Sequence, residues 1–287
     1  MKIIIPKGSG FCPGVLSAEK KLLDLRKNYS GIIYISGMFI HNKEYEKFLK
    51  DKNILSAPDY NTIEDRSIFV ISTHGIDKNI EETLRKKLKV FDFTCPKVKN
   101  VQKIIWQNED YLTIITGKDD HPEVIGLKSY CKNNIVLSKI EKLYSESFIN
   151  DIKDKKILLI SQTTSDSDLY DRAKFYLNQL YKKNIIKEFK SYNTICPSIE
   201  NREKNAIQIL KKNNIKTIVI GDYLSSNSQR LFAKLKQINE KTFFIQNKEE
   251  LQIILNEIKD DSEVMIVSSS STPSFIEKEI IEILLKI

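Results

Sequence analysis

Three of the four cysteines stand directly before proline, as Cys12-Pro13, Cys95-Pro96 and Cys196-Pro197, in a chain with only seven prolines among 287 residues. Each pair closes a short β-like run and opens a run of helical period. Proline is preorganised for the first helical position, so each cysteine falls at or near a helix N-cap. There the unpaired N–H groups and the positive end of the dipole favour a thiolate. Three such positions, far apart in sequence, suggest one shared metal site. The fourth cysteine, Cys131, precedes Lys132 and reads as a small buried hydrophobe at the end of a helix. Structural zinc commonly uses local Cys-x2-4-Cys pairs, and the chain has none. Thiolates also select soft metals and iron–sulfur clusters. Three cysteines on a 4Fe-4S cluster would leave one iron without a protein ligand, open to substrate.

All three histidines, His41, His74 and His121, follow a strand-like run or sit at a strand–helix junction. Imidazole suits both acid–base work and anion binding near neutral pH. The stretch Gly221 to Ser228, with Ser225, Ser226 and Asn227, joins a β-branched run to a helix and has the makings of a phosphate cradle. A second such turn runs from Ser268 through Ser271 to Pro273. Ordinary N-capping explains either turn equally well, but with the histidines they imply an acidic substrate. Glu123 reads as a proton donor or as a first-turn glutamate complementing a helix dipole. In Gln162-Thr163-Thr164 the hydroxyls serve a helix cap or orient a substrate OH. Pattern alone leaves both pairs of readings open.

Those residues need a scaffold, and strand-like runs alternate with helical ones almost throughout. Strands are expected at 2–5, 31–36, 53–55, 67–72, 89–93, 111–116, 134–137, 156–161, 187–192, 217–221, 241–245 and 264–268. Helices lie between most of them, among them 14–27, 78–88, 97–108, 122–132, 167–182, 198–212, 226–237, 248–259 and 274–286. This alternation predicts an α/β protein with parallel sheets. Cuts at the Cys-Pro pairs give units 13–95, 96–195 and 196–287, each one small α/β unit. By the same logic strand 1–12 completes the third unit, so each unit has four strands in a pseudo-threefold arrangement.

Composition narrows the function classes. With 41% hydrophobic and 29% charged residues the chain is ordinary globular, and no apolar stretch approaches the roughly 20 residues of a membrane span. The N-terminus lacks the form of a signal peptide, so a cytoplasmic protein with reduced thiols is expected. The net charge of +8 comes from lysines scattered among Asn and Ile, without a basic, aromatic-interleaved block, so no nucleic-acid partner is expected.

The fragments Gly10-Phe11-Cys12-Pro13-Gly14-Val15, His41-Asn42, His74-Gly75, Thr94-Cys95-Pro96 and His121-Pro122-Glu123-Val124 occur in that order. They continue with Gln162-Thr163-Thr164, Ile195-Cys196, Asn201-Arg202, Ser225-Ser226-Asn227-Ser228 and Ser271-Thr272-Pro273. In this ordered set, which covers nearly the whole chain, the sequence resembles the 4-hydroxy-3-methylbut-2-enyl diphosphate reductase family, the last enzymes of the non-mevalonate isoprenoid pathway. The resemblance implies a trefoil of three α/β units around a 4Fe-4S cluster held by Cys12, Cys95 and Cys196. It assigns the diphosphate to His41, His74, His121, Ser225, Ser226, Asn227 and Ser271. Glu123 becomes the proton source, Thr163 orients the substrate hydroxyl and Glu123, and His121 is a second candidate for relaying the proton. The implied reaction is a two-electron reductive dehydroxylation at the open iron, giving isopentenyl and dimethylallyl diphosphates. The chain has no room for a flavin or nicotinamide domain, so electrons would come from a ferredoxin or flavodoxin.

Lys118 and Gln102 depart from the family pattern, which often has His at both places, and the turn before Ser271 is unusually rich in serine. Two other functions fit parts of the pattern. A quinolinate-synthase-like enzyme also joins three α/β units around a three-cysteine cluster, and a zinc-stabilised binding module would need no catalysis.

Overall fold

The computed structural model describes every residue except Pro58, Asp65, Asn213 and Asn214. Its strands form where the apolar β-branched runs lie. Strand β1 (Lys2–Ile4) is followed by β2 (Ile33–Ser36), β3 (Ile54–Ala57), β4 (Ile68–Ile71) and β5 (Lys89–Asp92). Next come β6 (Leu112–Thr116), β7 (Asn134–Leu137), β8 (Lys156–Ser161) and β9 (Glu188–Ser191), then β10 (Lys216–Ile220), β11 (Thr242–Ile245) and β12 (Glu263–Ser268). They make three four-stranded sheets, ordered β3-β2-β4-β5, β7-β6-β8-β9 and β11-β10-β12-β1, and every pairing is parallel. The expected α/β class with parallel sheets is therefore the observed one.

The three orders are one order. Numbering strands within a sheet, each reads second, first, third, fourth, with β1 in the fourth place of the last sheet, as the sequence pattern requires. Strands in the first and third places are almost wholly buried, with β4 (Ile-Phe-Val-Ile) and β6 (Leu-Thr-Ile-Ile-Thr) shielded along their full length. That is why these strands read as continuous apolar runs rather than alternating ones. In such a sheet the chain leaves the first strand toward one edge and returns on its other side. The crevice between first and third strands, at their carboxyl ends, is the topological switch point where ligands bind.

Eleven α-helices connect the strands among the described residues. These are α1 (Pro13–Lys27), α2 (Lys43–Lys50), α3 (Lys78–Lys87), α4 (Pro96–Trp106), α5 (Pro122–Lys128) and α6 (Glu146–Ile152). The remainder are α7 (Ser167–Lys182), α8 (Pro197–Lys212), α9 (Ser226–Ile238), α10 (Lys248–Ile258) and α11 (Ser274–Leu284). Two of them, α2 and α6, are additions to the nine expected by period. The helix expected over 122–132 stops at Lys128, because Tyr130 and Cys131 donate to carbonyls three residues back and close the end as a tight turn. None of the helices is long and apolar enough to cross a membrane.

By contacts the chain forms two compact units. One holds Met1–Asn28, Met38–Asn53 and Pro197–Ile287, and thus the sheet of β1 and β10 to β12. Its sheet is covered by two apolar clusters, one including Ile218, Ile220, Ile266 and Ile280, the other Val219, Met265, Val267 and Leu231. The other unit holds Tyr29–Gly37 and Ile54–Cys196, with the remaining two sheets.

Candidate active site

Every residue singled out for chemistry sits just beyond the carboxyl end of a first, third or fourth strand. His41 follows β2, His121 and Glu123 follow β6, and Ser225 to Asn227 follow β10, all in the first place. His74 follows β4, Thr163 follows β8 and Ser271 follows β12, all in the third. Cys95, Cys196 and Cys12 follow β5, β9 and β1, all in the fourth. The loops after the second strands, β3, β7 and β11, carry none.

The cysteine loops have the geometry their prolines dictate. Cys12 is the N-cap of α1, with φ −73° and ψ 162°, and Cys95 is the N-cap of α4, with φ −55° and ψ 134°. Their carbonyls accept the first helical hydrogen bonds, from Leu16 and Lys99 at 3.0 Å, while neither thiol caps its helix. Cys196 directly precedes α8. The backbone N–H of Cys95 donates to the Thr73 carbonyl at 3.0 Å and that of Cys196 to the Thr163 carbonyl at 2.9 Å. Each loop is thereby stitched to the loop after the third strand of its own sheet. On the Cys12 loop, Arg202 donates from Nε to the Gly8 carbonyl and from Nη2 to the Gly10 carbonyl, both at 2.6 Å. Both glycines have positive φ, +88° and +78°, a conformation that side chains disfavour.

All four thiols lie outside disulfides and all four are half-buried. Cys131 is different. It lies past α5 with Sγ donating to the Leu127 carbonyl at 3.5 Å, and burial pushes its thiol up to about 11. A thiolate there is disfavoured, which leaves Cys12, Cys95 and Cys196, each at a helix start, as the set of soft donors. That set fits an iron–sulfur cluster better than a closed tetrahedral zinc site.

In the two-sheet unit, the loops after β6 and β8 meet at one carboxylate. Glu123 is 1% exposed. Its Oε1 accepts the Thr163 N–H at 2.6 Å and its Oε2 accepts the Thr163 hydroxyl at 2.7 Å. Burial lifts the carboxyl to about 7, against the lowering effect of the two Thr163 bonds. His121 caps α5, its Nδ1 accepting the Glu123 N–H at 3.1 Å, which leaves Nε2 to carry the proton of a neutral ring. The His74 ring meets the His121 ring edge to face at 5.4 Å. Gln162 braces the same loops, accepting the Lys118 N–H at 3.0 Å and donating to Thr164 Oγ1 at 2.7 Å. Gln102 is buried behind the His74 loop, so close to Gly75 that a Cβ there would lie 3.2 Å from its Nε2.

In the other unit the serine turns form one hydroxyl cluster. Ser225 caps α9 through the Ser228 N–H at 3.3 Å and accepts from Ser271 Oγ at 2.9 Å. Ser228 Oγ donates to Ser269 Oγ at 2.7 Å, and Asn227 Nδ2 donates to Ser270 Oγ at 2.7 Å. The two turns read separately in the sequence are therefore a single feature. Ser228 and Ser269, both fully buried at its centre, lie in the two turns read as cradles but were not singled out within them, because helix-cap serines carry no mark of what lies across the sheet.

The family described as LytB protein matches residues 3–285. The chain belongs to that family. It is 35% identical over 289 residues to a Clostridioides difficile protein named 4-hydroxy-3-methylbut-2-enyl diphosphate reductase, covering 99% of each. Among solved structures it resembles that of (E)-4-hydroxy-3-methyl-but-2-enyl diphosphate reductase, described as the terminal enzyme of the non-mevalonate pathway, with a TM-score of 0.75 and 30% identity over 100% of this chain and 99% of the other. It also resembles the E-1-hydroxy-2-methyl-but-2-enyl-4-diphosphate reductase from Plasmodium falciparum, with a TM-score of 0.83 and 26% identity over 99% and 87% of the two chains. A LytB protein thus has its family's sheets, with Gln102 and Lys118 in supporting places rather than at the carboxylate or the hydroxyl cluster.

Proposed function

We propose that the protein is a 4-hydroxy-3-methylbut-2-enyl diphosphate reductase, an oxidoreductase that removes the allylic hydroxyl to give isopentenyl and dimethylallyl diphosphates. Each turnover takes up two electrons and two protons, breaks the allylic C–O bond, forms a C–H bond and releases water. The observation that carries the reading is a buried carboxyl near pH 7 with both oxygens held by one threonine. Hydroxide is a poor leaving group, and a positioned acid that protonates it typically contributes a factor of about 10² to 10⁴.

The geometry of Thr163 decides which oxygen carries that proton. Its backbone N–H, a permanent donor, occupies Oε1, so a protonated Glu123 holds its hydrogen on Oε2. There the carboxyl donates to Thr163 Oγ1, reversing the hydroxyl bond and turning the threonine proton toward a substrate oxygen. Thr163 is then the relay between the acid and the leaving hydroxyl. His121 presents Nε2–H to an anion while Nδ1 stays committed to its helix. With His41, His74, Ser225, Ser226, Asn227 and Ser271 it would bind the diphosphate through charge-assisted and helix-start hydrogen bonds. A 4Fe-4S cluster held by Cys12, Cys95 and Cys196 would supply single electrons and a Lewis-acidic iron, recharged by a ferredoxin or flavodoxin. Residues 13–95, 96–195 and 196–287 with strand 1–12 then act as three repeats, each contributing one cysteine, in a cytoplasmic enzyme.

Metal and activity analysis of anaerobically purified protein tests this. Iron with acid-labile sulfide and dehydroxylation of the allylic diphosphate are expected. Zinc in place of iron sinks the proposal. A cluster without dehydroxylation would turn attention to a quinolinate-synthase-like condensation.

A further inference from the structure

The loop after β10 carries a carboxylate for which the proposed reaction has no use. Asp222 is 2% exposed and stands three residues before Ser225. Its Oδ1 accepts the Leu224 N–H at 2.8 Å, inside the turn that leads to Ser225. Its Oδ2 accepts the N–H of Lys43 at 3.1 Å, from 179 residues away. Lys43 is the first residue of α2 and follows His41-Asn42 directly, Asn42 being the N-cap through its bond to Tyr45 N–H at 2.9 Å. The first N–H of a helix has no partner within it, and a negative charge at that end complements the dipole. Asp222 therefore finishes the cap of α2 from another sheet strand's loop.

We propose that Asp222 is a positioning residue for the diphosphate, holding the His41 loop and the Ser225–Asn227 turn in register as one anion site. The inference rests on reading those residues as diphosphate ligands. A buried carboxylate beside an anion site is otherwise an electrostatic liability, since like charges repel and more strongly away from water. Asp222 is tolerated there because both its oxygens are engaged by backbone N–H groups, which also consumes two donors that would otherwise be left unsatisfied.

Charge and positioning predict opposite signs for Asp222→Asn. Charge alone makes the variant bind diphosphate more tightly. Positioning makes it bind more weakly, because one amide cannot accept from both N–H groups and meets one of them donor to donor. Calorimetry of inorganic diphosphate on the iron-loaded protein should show a dissociation constant about tenfold higher, and the KM for the allylic diphosphate should rise alike with kcat within about twofold. Lys43→Pro reaches the same contact from the other side. Proline is favoured at the first helical position, the extended Asn42 backbone (φ −158°, ψ 115°) accepts a following proline, and only the N–H is lost beyond the side chain. It should weaken diphosphate binding relative to Lys43→Ala, which loses the same side chain but keeps the N–H, as Asp222→Asn does relative to wild type. Tighter or unchanged binding by Asp222→Asn, or Lys43→Pro matching Lys43→Ala, overturns the inference alone. A wild-type protein that does not bind inorganic diphosphate overturns the diphosphate site and this inference with it.

Discussion

Burial raises the Glu123 carboxyl from 4.5 to about 7, so over that interval the folded protein keeps a proton that the unfolded chain has released. Stability must then fall as pH rises from 4.5 to 7, by up to about 3 kcal/mol, and level off above. Glu123→Gln has no such titration. Its urea midpoint should change less between pH 5 and pH 8 than that of wild type, and parallel curves would remove the carboxyl as the cause. The variant should also turn over at least about a hundredfold more slowly even with excess chemical reductant, while wild-type activity declines above neutrality as the acid ionises. At the cysteines, serine at 12, 95 or 196 should abolish the iron–sulfur absorbance and activity, and Cys131→Ser should change neither, which iron analysis and visible spectra will test. These residues were legible because proline announces a helix start and three histidines in 287 residues are few. What stayed hidden is direction. Nothing in His121-Pro122-Glu123 says that Nδ1 turns back to the helix, or that both oxygens of Glu123 go to one threonine.

At the scale of elements, the turn after β6 has no room for a side chain at Gly117. A Cβ on Gly117 would fall 2.8 Å from the Cβ of Gln162 and 3.2 Å from Val124, neither the loose end of a flexible side chain. Gly117→Ala should therefore cost about 1 to 3 kcal/mol in a denaturation experiment. Because Thr163 follows Gln162, it should also lower kcat with the cluster spectrum intact; unchanged turnover would show that the loop gives way elsewhere. The sequence pattern located all twelve strands but missed α2 and α6. Each is short and buries few residues, Tyr45 and Leu49 in one, Phe148 and Ile152 in the other, a single i, i+4 pair each. Two residues do not make a periodicity, and the caps that start these helices, Asn42 and Ser145, resemble any loop polar residue until a structure shows them bonded to Tyr45 and Phe148 N–H.

For the whole molecule, the repeat of strand order goes beyond what spacing could reveal. The Cys-Pro interval foretold four strands per sheet and the membership of β1, since only that count gives each cysteine an equivalent strand. The order within a sheet was not legible, because apolar runs say that a strand is buried and not which neighbour it pairs with. The place of β1 has a consequence for synthesis. Lys2 pairs across the sheet edge with Glu263, 261 residues later. At about 5 to 20 residues per second, β1 waits roughly ten to fifty seconds after its synthesis for its partner. During that time Ile3-Ile4-Ile5 is an unpaired, aggregation-prone edge, and Lys2, Pro6 and Lys7 bracket it as charges and a strand breaker. Replacing Lys2 and Lys7 by threonine should leave the melting temperature of purified protein nearly unchanged yet shift newly made chains into the insoluble fraction. Equal soluble yields would mean that the nascent strand is sheltered by some other route while it waits.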